Sequence, residues 1–231
     1  MTDPAASAAR SEHRWPAVVA IGIGVALYAL LPSTFLPAVR WTVIGFSVLT
    51  IVPLLVLNPV RFNRETRWSR GFSIAQSIVL LVANQVALGQ LVVQLLSPRE
   101  GGGTTMLLLA AVQVWATNVV AFATLYWELD RDGPVARTHV PRAQLPPADF
   151  RFPQDEDGDA VEEVAARSSG RTGWTAAYVD YLYFSMSNSM AFSPTDVMPL
   201  SHRAKLLMAV QAFAGFVILA LVIARAVNIA G

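Results

Sequence analysis

The sequence predicts an all-α integral membrane protein, a bundle of about six membrane helices. Of the 231 residues, 54% are hydrophobic and only 14% are charged, whereas a soluble domain has about 25% charged residues to cover its surface. Long apolar runs recur at lengths that suit a bilayer core of about 30 Å. Arginines concentrate in one short loop between two of these runs, and such loops set the topology of membrane proteins.

Residues 1–127 form the first predicted region, with four membrane helices. The first two spans, 15–31 and 41–57, are just long enough to cross the bilayer, and the third and fourth cover 72–96 and 104–127. The loop between the second and third spans lies in the cytoplasm by the positive-inside rule, which makes the N-terminus cytoplasmic too. Its arginines are Arg61, Arg64, Arg67 and Arg70.

The third and fourth spans each carry a polar stripe. At 100° per residue, the amide side chains of the third span fall within one arc, and polar side chains of the fourth share a face. Such stripes either join neighbouring helices by hydrogen bonds or line a hydrated path, and the sequence leaves both readings open. The stripe residues are Gln76, Asn84, Gln90 and Gln94 in the third span, and Gln113, Thr117 and Thr124 in the fourth.

Residues 128–173 interrupt the membrane pattern. The segment is rich in acidic residues and prolines and has few large apolar side chains, so we expect a solvated acidic linker with one short helix near 160–167. Its DEDGD run is not an EF-hand loop, because the required glycine and glutamate positions are Ala160 and Ala166.

Residues 174–231 form the third predicted region, a hairpin and a final helix. Within it, residues 178–200 place polar side chains at membrane depth, where they need internal partners or water. As a helix from Tyr178, the segment puts Tyr181, Ser185 and Ser189 on one side, with Asn188 at the margin, and Pro194 ends it. Residues 174–193 are long enough to cross as a fifth span, or they re-enter on the same side.

The residues that enzyme chemistry requires are missing. There is no cysteine, and the three histidines, His13, His139 and His202, lie in unrelated polar segments. No phosphate-binding glycine loop is present. We therefore expect no enzymatic activity, no metal and no cofactor.

The last 50 residues carry a resemblance. The run YLYFSMSNSMAFSPTDVMPLSHRAKLLMAVQAFAGFVILALVIARAV resembles the pore helix, filter and inner helix of two-helix potassium channels. In that alignment Asp196 matches the aspartate that closes the filter, Pro199 the proline after it, and Gly215 the inner-helix hinge. The TVGYG filter is absent, and Phe192 and Pro194 cannot form its backbone, so potassium selectivity is not implied. The chain is also similar to a group of bacterial multi-pass membrane proteins with the same WELDR and AFSPTD motifs, which implies an inner-membrane location.

The resemblance implies an ion-channel-like protein that passes small ions through a homo-oligomeric pore in contact with membrane lipid. The alternative is a non-conducting membrane scaffold or partner-binding protein descended from a channel. No feature points to nucleic acid. The expected pore-lining residues are Tyr181, Ser185, Asn188, Ser189, Thr195 and Asp196, with Gly215 as the hinge of the last helix.

Overall fold

A computed structural model describes residues 12–13, 15–31, 37–57, 67–96, 104–191 and 197–230, and these residues are mostly helical. In chain order the α-helices and strands are α1 (Trp15–Ala29), α2 (Pro37–Leu57), α3 (Arg67–Leu96), α4 (Thr104–Leu129), α5 (Gly133–His139), β1 (Phe150–Arg151), α6 (Glu162–Ala165), α7 (Ser169–Thr172), α8 (Tyr178–Ala191), β2 (Met198–Pro199) and α9 (His202–Ala230).

Three stretches of the described residues are long and apolar enough to cross a bilayer, which supports the membrane class. They are Arg70–Leu96, Thr105–His139 and His202–Arg225, with mean hydropathies of 1.9, 1.8 and 2.6. Trp15–Ala29 and Arg40–Leu49 are apolar but shorter. Helix α8 has 14 residues, or about 21 Å at 1.5 Å per residue, which is short of the roughly 30 Å of a bilayer core.

Helix α4 is the centre of the bundle. It contacts α1, α3, α8 and α9, and every residue from 117 to 128 is buried. A helix that is apolar on all sides is expected at such a position. The half of α4 that precedes residue 117 retains exposed apolar side chains such as Leu109 and Val112. The packed core therefore lies around the C-terminal half of α4.

A left-handed turn stops α4. Arg131, Asp132 and Gly133 have φ values of 47°, 67° and 89°, a region that costs free energy for residues with a side chain. Arg131 is held in this turn by ion pairs with Asp130 and Asp155 at 2.8 and 2.6 Å. The turn sends the chain back over the end of the bundle.

Residues 130–177 and 197–201 form a folded layer over this end of the bundle, which we call the cap. The expectation that the acidic linker is solvated is wrong for part of it, since Phe150 and Phe152 are only 1% and 3% exposed. The ring of Phe150 contacts Tyr126 and Phe184, with ring centroids 5.0 and 5.1 Å apart. The segment is too poor in apolar residues to have its own core, so it packs its few rings on the bundle. The short helix expected near 160–167 is present as α6.

Helices α8 and α9 run in the same direction. Ser185 lies opposite Gln211, and Ser189 lies one turn further along opposite Gly215. Between the two helices, β2 pairs antiparallel with β1, Phe150 opposite Pro199 and Arg151 opposite Met198. The chain therefore returns to the cap after α8 and starts α9 from there.

Candidate functional site

Four polar side chains on α4, α8 and α9 form one buried hydrogen-bond network, which we call the hairpin network. Gln211 lies at its centre: its Oε1 accepts from the Tyr126 hydroxyl at 2.8 Å and from Asn188 Nδ2 at 2.9 Å. Its Nε2 donates to the carbonyl and hydroxyl oxygens of Ser185 at 3.0 and 2.6 Å. Three helices are thus joined through one amide.

The remaining donors of the hairpin network also have acceptors within the chain. Ser185 Oγ donates to the Val119 carbonyl at 2.7 Å, and Asn188 Nδ2 makes a second bond to the Met208 carbonyl at 3.1 Å. All four side chains are at most 3% exposed. Buried polar groups without partners cost free energy, and in a bilayer no water replaces them, so this closure stabilises the packing of α8.

Gly215 allows α8 to approach α9 closely. A Cβ at this position would overlap the backbone carbonyl oxygen of Ser189, so only glycine fits against α8 here. Helix α9 continues without a break through this point. Gly215 is therefore a packing position in this structure, while its expected role as a hinge stays a prediction.

Tyr181 connects α8 to the cap rather than to a cavity. Its hydroxyl donates to Asp130 Oδ2 at 2.5 Å, and Asp130 Oδ1 accepts from the backbone N–H of Asp149 at 2.8 Å. The guanidinium of Arg137 lies 5.0 Å from the centre of the Tyr181 ring and donates to the carbonyls of Trp127 and Asp130 at 2.7 Å each. Asp130 is fully buried, and its carboxylate is satisfied by the Tyr181 hydroxyl, the Asp149 N–H and its ion pair with Arg131 at 2.8 Å.

The other expected pore residues divide into two groups. Thr195 and Asp196 lie outside the described residues. Ser189 is buried and donates to the Met186 carbonyl of its own helix at 2.9 Å. The side of α8 that is exposed is mostly apolar, and it consists of Val179, Tyr183, Met186 and Met190. The division into two faces that the sequence predicts for this helix is thus present.

The polar stripes of α3 and α4 contact neighbouring helices. Gln76 Nε2 donates to Ser47 Oγ of α2 at 2.7 Å, and Asn84 Nδ2 donates to Asn118 Oδ1 of α4 at 3.2 Å. Thr124 Oγ1 lies 3.3 Å from the Tyr178 hydroxyl of α8. Thr117 bonds to the Gln113 carbonyl within α4 at 2.8 Å, and Gln90 and Gln94 also have interaction partners. Gln76, Asn84 and Thr124 thus serve as contacts between helices.

The sequence did not predict a role in the site for four buried or partly buried residues, Gln211, Asn118, Asp130 and Glu12. Gln211 and Asn118 each interrupt a long apolar run, and an isolated amide there was the available signal. Glu12 accepts from the Tyr178 N–H at 2.6 Å and from Trp127 Nε1 at 3.0 Å. Burial raises the pKa of its carboxyl above the ordinary 4.5. A contact that links residues 12, 127 and 178 has no local sequence signal.

The described residues contain no group of three or more histidine, aspartate or glutamate side chains placed to hold a metal ion. Comparisons of the chain with protein-family models, with curated proteins and with solved structures find no match. What the site can do is therefore argued from its geometry.

Proposed function

We propose that this chain is a non-conducting scaffold or partner-binding protein of the bacterial inner membrane, in which the parallel helices α8 and α9 anchor the folded cap. The observation that carries the proposal is the closed hairpin network. A pore must offer polar groups to a hydrated ion, whereas Ser185, Asn188 and Gln211 give their donors to each other and to backbone carbonyls. The side of α8 that they leave exposed is largely apolar.

We infer that α8 is re-entrant, the fifth of six membrane helices with α1–α4 and α9. Two features support this inference. Helix α8 is shorter than a bilayer core, and helices of 10–14 residues are typical of buried or re-entrant segments. The pairing of Met198–Pro199 with Phe150–Arg151 then returns the chain to the cap, where α8 began.

On this topology the cap lies in the cytoplasm. Glu12 contacts Trp127 and Tyr178, so the N-terminal segment is on the cap side. Arg70, at the start of α3, forms an ion pair with Asp132 of the cap, so the start of α3, with Arg67 and Arg70, is on that side too. Positive loops are cytoplasmic. The hairpin of a potassium channel enters from the outside, so this one would be inverted, which favours an anchor over a pore.

Ion conduction by a homo-oligomer is the second candidate. The parallel course of α8 and α9 favours it, because the pore helix and inner helix of the channels named above share this arrangement. In that case the apolar face of α8 would contact neighbouring copies, and Thr195 and Asp196 would form the mouth of the path.

Flux measurements in liposomes combined with thermal unfolding separate the two candidates. For the scaffold, the purified protein should give no ion flux above empty liposomes. Asn188→Ala should lower the free energy of unfolding by about 2 kcal/mol, because it removes two buried hydrogen bonds, to Gln211 Oε1 and to the Met208 carbonyl. The control Ser187→Ala, one position along α8 and partly exposed, should stay within about 0.5 kcal/mol of the parent. Ion flux that Asp196→Ala abolishes without a loss of stability would overturn the proposal in favour of the channel.

A further inference from the structure

The cap contains a small cavity that three guanidinium groups face. Its lining consists of Arg131, Arg137, Arg142, Leu145, Thr175 and Ala176, and it offers about 10 Å³ to the centre of a water-sized particle. That is room for a single atom-sized group such as a water molecule. The cavity shares Arg131, Arg142 and Leu145 with a larger open depression of about 420 Å³ on the outer surface of the cap. The cavity is therefore adjacent to a depression that is open to solvent.

Two of the three guanidinium groups have carboxylate partners. Arg131 pairs with Asp130 and Asp155, at 2.8 and 2.6 Å. Arg142 pairs with the other oxygen of Asp155 at 2.5 Å and donates to Ser169 Oγ. These two carboxylates offset two of the three positive charges around the cavity.

Arg137 is the unbalanced member of the set. Its side chain is 2% exposed, and its Nη1 donates to the carbonyls of Trp127 and Asp130. Within the described part of the chain, its Nε and Nη2 have no hydrogen-bond partner. A buried guanidinium with unused donors is costly unless a counter-ion or polar ligand reaches it.

Nearby carboxylates act on Arg137 only at longer range. Glu12 uses its oxygens to accept from Trp127 Nε1 and the Tyr178 N–H, and Asp180 accepts from the Ala177 N–H. Burial raises the pKa of Glu12 and the nearby positive charge of Arg137 lowers it, with burial the larger effect. Neither residue lines the cavity.

We propose that this cavity binds a halide-sized anion such as chloride, held by Arg137 with Arg131 and Arg142. An anion needs several N–H donors and no acceptors, and guanidinium groups supply donors only. A water molecule would also need acceptors for its two hydrogens, and Thr175 is the one lining side chain with an acceptor atom. Sulfate and phosphate exceed the size of the cavity. The site is independent of whether the hairpin conducts ions.

The test is the thermal unfolding of the full chain in detergent while chloride replaces gluconate at constant ionic strength. A ligand that binds only the folded state raises Tm with its concentration in a saturable way. We expect such a rise with chloride and bromide, and none with sulfate. The width of the ³⁵Cl NMR line, which broadens when chloride exchanges with a slowly tumbling protein, should increase in the same concentration range.

Two arginine variants show whether the effect belongs to the cavity. Arg142→Gln removes a donor at the entrance and should weaken chloride binding roughly tenfold, the usual effect of losing a hydrogen bond to a charged group. Arg171→Gln is its matched control, because Arg142 and Arg171 are both 45% exposed and each pairs with a carboxylate, and only Arg142 lines the cavity. The control should keep the parent affinity. Equal Tm in chloride and gluconate, an equal effect of sulfate, or an equal change in both variants would overturn the proposal.

Discussion

Buried polar groups are hydrogen-bonded to different extents in the hairpin network and in the cap cavity that Arg131, Arg137 and Arg142 line. In the network, every side-chain donor of Tyr126, Ser185, Asn188 and Gln211 has an acceptor on another part of the chain. In the cap, Arg137 is equally buried and keeps two nitrogens without a partner among the described residues. Water and ions can reach the cap, whereas a bilayer offers nothing to complete a polar group. The contrast holds for these two sites and not for the whole bundle, since Asn84 Oδ1 and Asn118 Nδ2 between α3 and α4 also lack a hydrogen-bond partner among the described residues.

The largest expected loss of stability is that of Gly215→Ala, which tests whether α8 and α9 are tightly packed. Gly215→Ala places a methyl group on the Ser189 carbonyl oxygen, and neither backbone can give way without moving a helix. We expect a loss of about 3 kcal/mol in the free energy of unfolding, the upper end for overpacked positions. Thermal or denaturant unfolding in detergent measures it.

Gly89→Ala is the matched control for that substitution. Gly89 lies within α3, and a Cβ there meets no atom within 4 Å. Alanine has the higher helix propensity, so this variant should be as stable as the parent or slightly more so. Equal losses at positions 89 and 215 would mean that the contact between α8 and α9 is not tight.

An intermediate effect tests whether the network acts as a unit. Asn188→Ala and Gln211→Ala remove two ends of the same hydrogen bond, so their losses in stability should not add. We expect a coupling free energy of about 1 kcal/mol from the double-mutant cycle. Additive losses within about 0.3 kcal/mol would show that the two side chains act separately, and the contrast with the cap would lose its basis.

The smallest effect concerns pH and Glu12. In the unfolded chain the Glu12 carboxyl has its ordinary pKa of about 4.5, and burial raises this pKa in the folded protein. Between these two values the folded state holds more protons than the unfolded state, so stability falls as pH rises through this window. Glu12→Gln keeps an oxygen acceptor for Tyr178 and Trp127 but does not titrate. Its unfolding free energy should change less with pH there than that of the parent, and an unchanged slope would assign the pH dependence to another group.

The sequence predicted the helical membrane class and the face of α8, but not what that face contacts. The spacing of Tyr181, Ser185 and Ser189 shows that they share a side, and all three are buried as a set. Periodicity within one helix describes that helix only. The partners Val119 and Gln211 lie 66 and 26 residues from Ser185, and Gln211 stands alone in an apolar run without any spacing pattern.

The cap shows a second limit of sequence reasoning. Composition predicts that residues 128–173 cannot form a core of their own, and the segment indeed buries Phe150 and Phe152 against Tyr126, Phe184 and Tyr181 of the bundle. Average composition does not show that a few rings can dock on another part of the chain. The placement of Arg137 depends on the left-handed turn at Arg131 and Asp132. The run Asp132-Gly133-Pro134 indicates a turn, but it does not show that the chain then folds back over the bundle.

The closed network also has a consequence for the order of events during synthesis. Ser185 donates a hydrogen bond to the Val119 carbonyl, on a helix that is synthesised before α8. Asn188 and Tyr126 donate hydrogen bonds to Gln211, which is synthesised after α8. Until α9 has left the ribosome, a helix α8 already placed in the bilayer would hold the amide of Asn188 without its partner Gln211. Co-translational insertion should therefore stall with α8 at the membrane surface, and the last helix would carry it in.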